Sequence, residues 1–384
     1  MHRLAPPARA LGIGVLAGVA SFGHLLYPAW LAFRTRGMCD PLPPSPESWP
    51  GLTVVIPAYR ERTVIAAKVE DVLANGYSGA LEVLVVADDA GTAEAARKTQ
   101  AAVLVSAERA GKASAVNRGL ESAEHEIVVL TDANASLEHG ALAALVRWFE
   151  DRSVGAVAGE KRVLSQEESL YWRFESWVKR RESRLGSTIG LVGELAALRR
   201  EACRPIPTDL IVDDLWLALD LSAAGNRIVY EPSAVAAENG NARLSDEWER
   251  RTRNVAGALD AIWRRRELLV PGKAPITPQI WGHRLVRLAL GPAAHLVLLV
   301  IAARSTRRNG TAGLFCAVHV AAALALARKQ YGAGLTRPES LLAQGLFLQA
   351  VGLWGTLRWL KGDHSGIWRK EERKDTLPRR NENG

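Results

Sequence analysis

Apolar stretches without charged residues occur near both ends of the chain, and a charged region lies between them. Residues 10–33 contain no Asp, Glu, Lys or Arg, and as a helix this run would reach roughly 36 Å, enough to cross a bilayer. Three further apolar segments, at about 285–303, 311–328 and 340–360, are near the lower length limit for a span. The pattern predicts one transmembrane helix before the charged region and three after it. The alternatives are a cleaved signal peptide for the first segment and buried core helices for the others.

Short apolar runs inside the charged region have the pattern of buried parallel strands. They cover Leu52–Ile56, Leu81–Val86 and Ile127–Leu130, and helix-like segments separate them. Strands buried on both faces read as continuous apolar runs, and their alternation with helices favours a doubly wound, mostly parallel α/β sheet. A Pro-rich stretch before the first run suits a linker. We therefore predict an N-terminal helix and linker in 1–50, an α/β domain in 51–270, a C-terminal membrane region in 271–362 and a basic tail in 363–384.

Apolar side chains also recur at helical spacing within residues 170–181. Those on the stripe are Leu170, Tyr171, Phe174, Trp177 and Val178. This spacing predicts an amphipathic helix. Its sequence fits two positions, packed on the α/β sheet or lying in the membrane interface.

Composition narrows the class of protein and of partner. The chain has 384 residues, of which 48% are hydrophobic and 23% charged, which argues against a disordered or fibrous protein. Its three cysteines form no CxxC spacing, which argues against a disulfide scaffold or a thiolate zinc site. The formal charge of +8 favours an anionic partner such as phosphate, nucleic acid or acidic lipid. Nucleic acid is the least favoured, because the basic residues lie beside apolar segments rather than on a groove-reading helix.

Acidic residues follow two of the predicted strands at the point where each strand ends. Asp88 and Asp89 come after the second run, and Asp132 comes after the third, with Lys112 between them in sequence. A single carboxylate in this position is often only a helix N-cap, but ligands of doubly wound sheets bind beyond the carboxyl ends of the strands. The sequence contains neither a GxGxxG nor a GxxxxGK[ST] phosphate loop. Asp132 and Asn134 offer hard oxygen ligands of the kind that Mg²⁺ or Mn²⁺ prefers when phosphates complete its shell, so we predict a metal-bridged diphosphate site.

The chain carries a series of short motifs in a fixed order. They read VVIPAYRER at 54–62, VLVVADD at 83–89, GKASAVNRGL at 111–120 and VVLTDANA at 128–135, with further ones within 154–163, 171–183, 211–238 and 247–259. In this order and spacing the chain resembles the family 2 glycosyltransferases, of the membrane-bound, cellulose-synthase-like and poly-N-acetylglucosamine-synthase-like branch. The resemblance covers residues 51–370.

This resemblance implies a GT-A fold that transfers a sugar from a nucleotide diphosphate, usually UDP, with inversion at the anomeric carbon and with Mg²⁺ or Mn²⁺ as cofactor. It implies that Asp214 is the general base and that Asp132 and Asn134 bind the metal. The residues implied for the donor nucleotide are Pro57, Tyr59, Glu61, Asp88, Asp89, Lys112 and Asp132. Those implied for the diphosphate or the acceptor are Asp213, Arg250, Arg251 and Arg253.

Three residues depart from the family's motifs. Asn134 replaces the second Asp of the DxD metal motif, and Asp213 replaces the Glu that usually precedes the general base. Asn254 stands where a Trp usually covers the acceptor sugar. The departures at Asn134 and Asn254 motivate the hypothesis of a non-catalytic, nucleotide-binding pseudo-transferase.

The preferred interpretation is an inverting glycosyltransferase that acts on a membrane-associated saccharide acceptor, in cell-envelope or extracellular polysaccharide synthesis. The alternative within the same class adds a single sugar to a polyprenyl phosphate or another lipid. The expected partners are the nucleotide sugar, a saccharide or lipid-linked acceptor, membrane lipids, and an export partner or further copies of the chain, without nucleic acid. The expected location is the inner membrane, which the chain crosses several times, with the catalytic domain in the cytoplasm.

Overall fold

The computed structural model describes residues 6–43, 46–106, 109–164, 166–239, 243–332 and 334–363, and of residues 6–9 and 166–170 the backbone alone. These residues form two compact units. The first unit comprises 6–33, 243–259 and 278–363, and the second comprises 34–242 and 260–277. The predicted basic tail lies outside the described residues from 364 onwards. The predicted domain bounds stay predictions.

The second unit is built on one mixed sheet, in which the described residues form eight strands. The strands are β1 (Leu52–Ala58), β2 (Leu81–Ala87), β3 (Ala102–Val105), β4 (Ile127–Leu130), β5 (Ser136–Leu137), β6 (Val154–Val163), β7 (Ala196–Arg199) and β8 (Arg227–Glu238). Their order across the sheet is β3-β2-β1-β4-β7-β6-β8-β5. Neighbours among β1 to β4 are parallel, whereas β7 runs antiparallel to both β4 and β6. The predicted doubly wound α/β fold is therefore confirmed, with an antiparallel strand inserted beside β4.

Helices follow the strands and also form most of the first unit. They are α1 (Pro6–Ser21), α2 (Tyr27–Arg34), α3 (Ile65–Leu73), α4 (Ala90–Ala96), α5 (Lys112–Ser122), α6 (Ala141–Val146), α7 (Gln166–Arg184), α8 (Asp213–Ala223), α9 (Leu244–Arg264), α10 (Thr277–Gln279), α11 (Gly291–Ser305), α12 (Gly310–Gln330) and α13 (Arg337–Leu360). π-helical turns occur at Phe22–Leu26 and Ile280–Leu290.

Strand β1 lies between β2 and β4 in the sheet and is buried along its whole length. Successive side chains of a strand point to opposite faces. On one face Val54 and Ile56 join a core that includes Ile65 of α3. On the other face a Cβ placed on Gly119 of α5 would lie only 2.3 Å from Val55 Cγ1. Helices therefore cover both faces of the sheet, and α5 approaches β1 so closely that only glycine fits at position 119.

Strand β1 continues through Pro57, where the sequence pattern predicts its end. Proline has no N–H for a ladder hydrogen bond and is usually excluded from central strands. The pairing with β4 ends at Val55, opposite Leu130, whereas the pairing with β2 continues to Ala58. Val55 O accepts from Thr131 N on the β4 side, and the backbone of residue 57 faces that same side by the period-2 rule. Pro57 thus lies beyond the end of β4, where no ladder donor is needed.

Helix α7 packs on β6 and β8 and buries mainly polar side chains. Glu175, Lys179 and Glu182 are buried, and of the predicted apolar stripe Val178 is buried whereas Phe174 and Trp177 are only half-buried. Glu182 accepts a hydrogen bond from Thr188, and Lys179 donates one to Gly159 O. Paired hydrogen bonds make such burial tolerable. Leu170, on the predicted stripe, lies outside the described side chains.

Four helical stretches of the described residues are long and apolar enough to cross a membrane. They are Ala10–Arg34, Thr277–Ser305, Gly310–Gln330 and Arg337–Leu360. One precedes the sheet unit in sequence and three follow it, as predicted, although the second begins earlier than the predicted residue 285. Their length and composition indicate association with a membrane.

Candidate active site

The carboxyl ends of three parallel strands bring the predicted polar residues to one edge of the sheet. Tyr59 follows β1, Asp88 and Asp89 follow β2, and Asp132 follows β4. Because β1, β2 and β4 are parallel neighbours, these ends lie side by side. This is the edge where doubly wound sheets bind their ligands.

A lysine joins two aspartates at this edge. Lys112 is the first residue of α5, and its Nζ lies 2.8 Å from Asp132 Oδ1 and 4.0 Å from Asp213 Oδ2. Burial opposes the charged form of Lys112, but the two carboxylates outweigh it and hold the pKa of Lys112 above its usual value. The fold thus gathers Lys112, Asp132 and Asp213, which are far apart in sequence, into one ion cluster.

Glu194 extends this cluster, and no sequence motif indicated it. Its carboxylate lies 2.5 Å from Lys161 Nζ, and the same ammonium lies 2.6 Å from Glu238. Burial raises the pKa of Glu194, but Lys161 and then Lys112 outweigh that effect and lower the pKa to about 2. Alternating charges therefore run from Glu238 through Lys161 and Glu194 toward Lys112.

The antiparallel course of β7 explains how Glu194 reaches the site. Ala196, the first residue of β7, pairs with Leu130, the last residue of β4. The segment before β7 therefore lies at the edge where β4 ends, and Thr131 Oγ1 donates to Glu194 O at 2.8 Å. A parallel strand at this place would have put Glu194 at the opposite edge.

Asp88 connects the end of β2 to both ends of the loop before α5. Its Oδ1 accepts from Ser106 Oγ at 2.5 Å, and its Oδ2 accepts from Gly111 N at 3.1 Å. Gly111 has φ 86°, a left-handed conformation that favours glycine. The predicted contact of Asp88 with the donor nucleotide stays a prediction.

Asp89 is the N-cap of α4 and also holds the turn after β1. Its carboxylate accepts from Thr92 N at 2.9 Å and from Arg60 N at 2.6 Å. Arg60 has φ 57°, an uncommon value for a residue other than glycine. Burial raises the pKa of Asp89, and the hydrogen bonds from Arg60 and Thr92 outweigh it, so the pKa is lowered overall.

Tyr59 carries two guanidinium groups over its ring. Arg109 lies 4.3 Å and Arg60 lies 5.2 Å from the ring centroid. Cations placed over an aromatic face are attracted to its electrons. Sequence reasoning did not single out Arg109. Of the other residues predicted beside the donor, Pro57 and Glu61 are buried, and Glu61 N donates to Thr92 Oγ1 at 2.9 Å.

Two further predicted residues, Asp214 and Asn134, lie close in sequence to members of the cluster. Asp214 follows Asp213 in the first turn of α8, and its Oδ1 accepts from Leu215 N at 2.7 Å. The N-cap position of this helix belongs to Val212. Asn134 is half-buried in the turn after β4. The roles of Asp214 as base and of Asn134 as metal ligand stay predictions.

The arginines predicted to bind the diphosphate or the acceptor belong to the first unit. Arg250, Arg251 and Arg253 lie on α9, and Arg251 Nε pairs with Glu247 Oε1 at 2.8 Å. On the same helix Glu249 pairs with Arg358 of α13 at 2.7 Å. Their predicted contact with the diphosphate or the acceptor stays a prediction.

Comparison with known proteins supports the assignment that these motifs imply. Residues 53–206 match the Glycosyl transferase family 2. The poly-beta-1,6-N-acetyl-D-glucosamine synthase of Staphylococcus aureus (strain COL) is 26% identical over 231 residues, which is 56% of this chain and 56% of that protein. The synthase of the same name from Staphylococcus epidermidis is 25% identical over 165 residues, 40% of each chain. The chain thus spans about half the length of the curated relatives that it matches.

A solved structure extends the likeness over nearly the whole chain. The mannosyltransferase PcManGT from Pyrobaculum calidifontis, in complex with GDP-Man and Mn²⁺, superposes with a TM-score of 0.75 at 28% identity. The match covers 91% of this chain and 98% of that one. The predicted GT-A-like fold is therefore confirmed. The motif residues of β1, β2, α5 and β4 all lie within the region that matches the Glycosyl transferase family 2.

Proposed function

We propose that this protein transfers a sugar from a nucleotide-diphosphate donor, a UDP-sugar in the first instance, to a membrane-associated saccharide acceptor. The observation that carries the proposal is the ion cluster of Lys112, Asp132 and Asp213 at the carboxyl edge of a family 2 domain. A diphosphate brings two or more negative charges, and a buried ammonium among hydrogen-bonding groups can receive them. The likeness to the staphylococcal polymer synthases favours polysaccharide synthesis of the cell envelope or the extracellular matrix.

A second candidate is the transfer of a single sugar to a polyprenyl phosphate or another lipid. It is favoured by the three apolar helices that follow the sheet unit in the described residues, because so few helices make a closed polymer channel within one chain hard to build. The chain also resembles the mannosyltransferase PcManGT, of which the match covers 98%. That enzyme was solved with GDP-Man, so GDP-mannose belongs among the donors to be tested. Product size separates the two candidates, because the first makes a polymer and the second an organic-extractable glycolipid.

The proposed chemistry is an inverting single displacement at the anomeric carbon. A hydroxyl of the acceptor attacks while the nucleotide diphosphate leaves from the opposite face, so the hydroxyl must lose a proton. Asp214 is the proposed general base, and a positioned carboxylate contributes about 10²- to 10⁴-fold. Asp213, the residue before Asp214, lies 4.0 Å from the ammonium of Lys112. Arg250, Arg251 and Arg253 are proposed to bind the diphosphate or the acceptor, since guanidinium groups bind phosphate oxygens in pairs.

Mg²⁺ or Mn²⁺ is the proposed cofactor, and Mn²⁺ accompanies GDP-Man in the PcManGT complex. No three His, Cys, Asp or Glu side chains converge in the part of the chain that the structure describes. Sites for these ions, however, commonly use one or two protein oxygens and complete their shell with phosphates and water. Asp132 and Asn134 offer that donor set, and the Lys112 ammonium beside Asp132 already occupies the place of a cation. When bound, the ion would neutralise charge on the departing diphosphate.

The proposed setting is the inner membrane, with several membrane crossings and the sheet unit in the cytoplasm, where nucleotide sugars are made. The four apolar helices support the membrane part of this proposal. An acceptor held at the membrane, membrane lipids, and an export partner or further copies of the chain are the proposed partners.

Membranes that contain the protein, incubated with radiolabelled UDP-sugars and GDP-mannose, test the proposal. The wild type should incorporate label from at least one donor, and Asp132→Ala should reduce incorporation by at least about 100-fold, as expected when an electrostatic group at a charged transition state is lost. Asp209→Asn is the matched control, because Asp209 is exposed and its ion pair with Arg264 lies at the surface. Incorporation by Asp132→Ala at the wild-type rate would contradict the proposed site. UDP binding by the wild type without turnover of any donor would favour the pseudo-transferase.

A further inference from the structure

The ammonium of Lys112 contacts Asp132, the carboxylate that the proposed metal ion would also need. It lies 2.8 Å from Asp132 Oδ1 and 4.0 Å from Asp213 Oδ2. The side chains of Lys112 and Asp132 are each 22% exposed and that of Asp213 is 9% exposed. Charges that are partly shielded from water interact more strongly than surface charges and are less screened by salt. The carboxylate of Asp132 therefore has a cation in direct contact with it at this edge of the sheet.

Gly193 leaves the space in which this ammonium lies. A Cβ placed on Gly193 would be 2.8 Å from Lys112 Nζ, and among the described atoms that Nζ is its only neighbour within 4 Å outside the adjoining residues. The backbone of Gly193 does not have a positive φ, so alanine could be accepted there without backbone strain. The added methyl group of Gly193→Ala would therefore clash with one described atom, Lys112 Nζ, at the end of a flexible side chain. This clash would move the ammonium away from Asp132.

Lys112 and a divalent ion cannot share Asp132 closely, because both are cations and repel each other in a partly shielded site. When the metal binds, the ammonium must find another anion. The leaving diphosphate of the donor is the anion that the proposed reaction supplies at this edge. Without a nucleotide the other nearby carboxylates are Asp213, at 4.0 Å, and Glu194, which is already paired with Lys161, so the ammonium stays with Asp132.

We propose that Lys112 is the resident counter-cation of the metal-free site and that it couples metal binding to donor binding. Its ammonium offsets the charge of Asp132, and part of the charge of Asp213, until the donor arrives; it then moves to the diphosphate and releases Asp132 for the metal. The inference rests on the proposed function and adds a regulatory property to that site. A metal should bind weakly alone and tightly with the nucleotide, because each ligand relieves the cost of binding the other.

Binding of Mn²⁺ to the purified full-length protein in detergent tests this inference, since free Mn²⁺ is counted by electron paramagnetic resonance without any turnover. Titrations are run with Mn²⁺ alone and with saturating UDP or GDP. For the wild type we expect the nucleotide to tighten Mn²⁺ binding by at least about fivefold. Lys112→Met and Gly193→Ala should each bind Mn²⁺ alone more tightly than the wild type, and the effect of nucleotide should shrink in both.

Lys98→Met is the matched control, because Lys98 is an exposed lysine of the same unit that pairs with Glu94, and it should titrate like the wild type. Gly193→Ala keeps every charge, so it decides the matter if Lys112→Met does not fold. Unchanged or weaker binding of Mn²⁺ alone by the folded variants would overturn the inference and leave the proposed function standing, provided that the wild type binds Mn²⁺ with nucleotide. Absence of Mn²⁺ binding by the wild type with either nucleotide would overturn both the proposed metal site and the inference.

Discussion

The ammonium of Lys179 on α7 lies 3.5 Å from Glu160 Oε2 on β6, and Lys179 is almost wholly buried. The same ammonium donates to Gly159 O at 3.2 Å and lies 4.5 Å from the ring centroid of Tyr230. Tyr230 in turn donates its hydroxyl to Glu160 at 2.6 Å. A polar network, rather than an aromatic seam, thus fixes α7 on the sheet.

Lys179→Ala should strongly destabilise the protein, because it leaves Glu160 without its buried cation. Removing one partner of a buried ion pair costs about 3–5 kcal/mol. Arg173→Ala, at an exposed position of the same helix, should have little effect. Thermal unfolding in detergent compares the two variants. Equal melting temperatures for both would contradict the polar packing of α7.

Because α5 lies so close to β1, we expect a larger side chain at Gly119 to lower the stability of the protein. Gly119→Ala would place a Cβ 2.3 Å from Val55 Cγ1, and overpacking of a core costs about 1–3 kcal/mol. Gly91→Ala on α4 is the control, because its Cβ would meet only atoms at 3.4 Å or beyond. Chemical unfolding should show a lower midpoint for Gly119→Ala and no loss for Gly91→Ala. If the midpoint for Gly119→Ala equals that of the wild type, α5 lies farther from β1 than described.

Asp88 should protect the loop before α5 from proteolysis, since its carboxylate bonds Ser106 and Gly111 at the two ends of that loop. Trypsin cuts after arginine and lysine, and Arg109 lies within the loop. Asp88→Ala should therefore be cleaved after Arg109 faster than the wild type, as followed by mass spectrometry. Glu121→Ala, at an exposed position of α5, should keep the wild-type rate. Equal rates for Asp88→Ala and the wild type would mean that these hydrogen bonds do not hold the loop.

Cys203 should react slowly with maleimide near pH 8. Burial, with a smaller contribution from Asp220, raises the pKa of the Cys203 thiol to about 12. The reactive species is the thiolate, and a thiol stays protonated below its pKa, so little thiolate of Cys203 forms until the solution is strongly alkaline. Cys39 is exposed and should be labelled first. Comparison of Cys39→Ser with Cys203→Ser in a Cys316→Ser background measures this order, and faster labelling at Cys203 would contradict it.

The parts of the fold that depend on continuous runs along the chain could be predicted from the sequence. The apolar runs at Leu52–Ile56, Leu81–Val86 and Ile127–Leu130 are strands, and the acidic residues after them meet because parallel strands end at one edge. The apolar stretches near both ends are helices, and they too could be predicted, because the length of an uncharged run is a property of consecutive residues.

The features that depend on contacts distant in sequence could not be predicted in this way. Glu194 joins the cluster only because β7 runs antiparallel beside β4, and the local sequence pattern does not show which distant strand β7 lies beside. The buried face of α7 is polar because Lys179 and Glu182 meet partners on the sheet. Hydropathy counts such residues as solvent-facing, so the sequence pattern could not identify them as part of the buried face.

The most direct test of the central claim is the rate of sugar transfer by Asp214→Asn at saturating donor, measured together with the affinity for UDP. We expect the rate of transfer to fall by about 10²- to 10⁴-fold. The UDP affinity and the melting temperature should stay like those of the wild type and of Asp209→Asn. Transfer by Asp214→Asn at the wild-type rate would contradict the assignment of Asp214 as the base that takes the acceptor's proton.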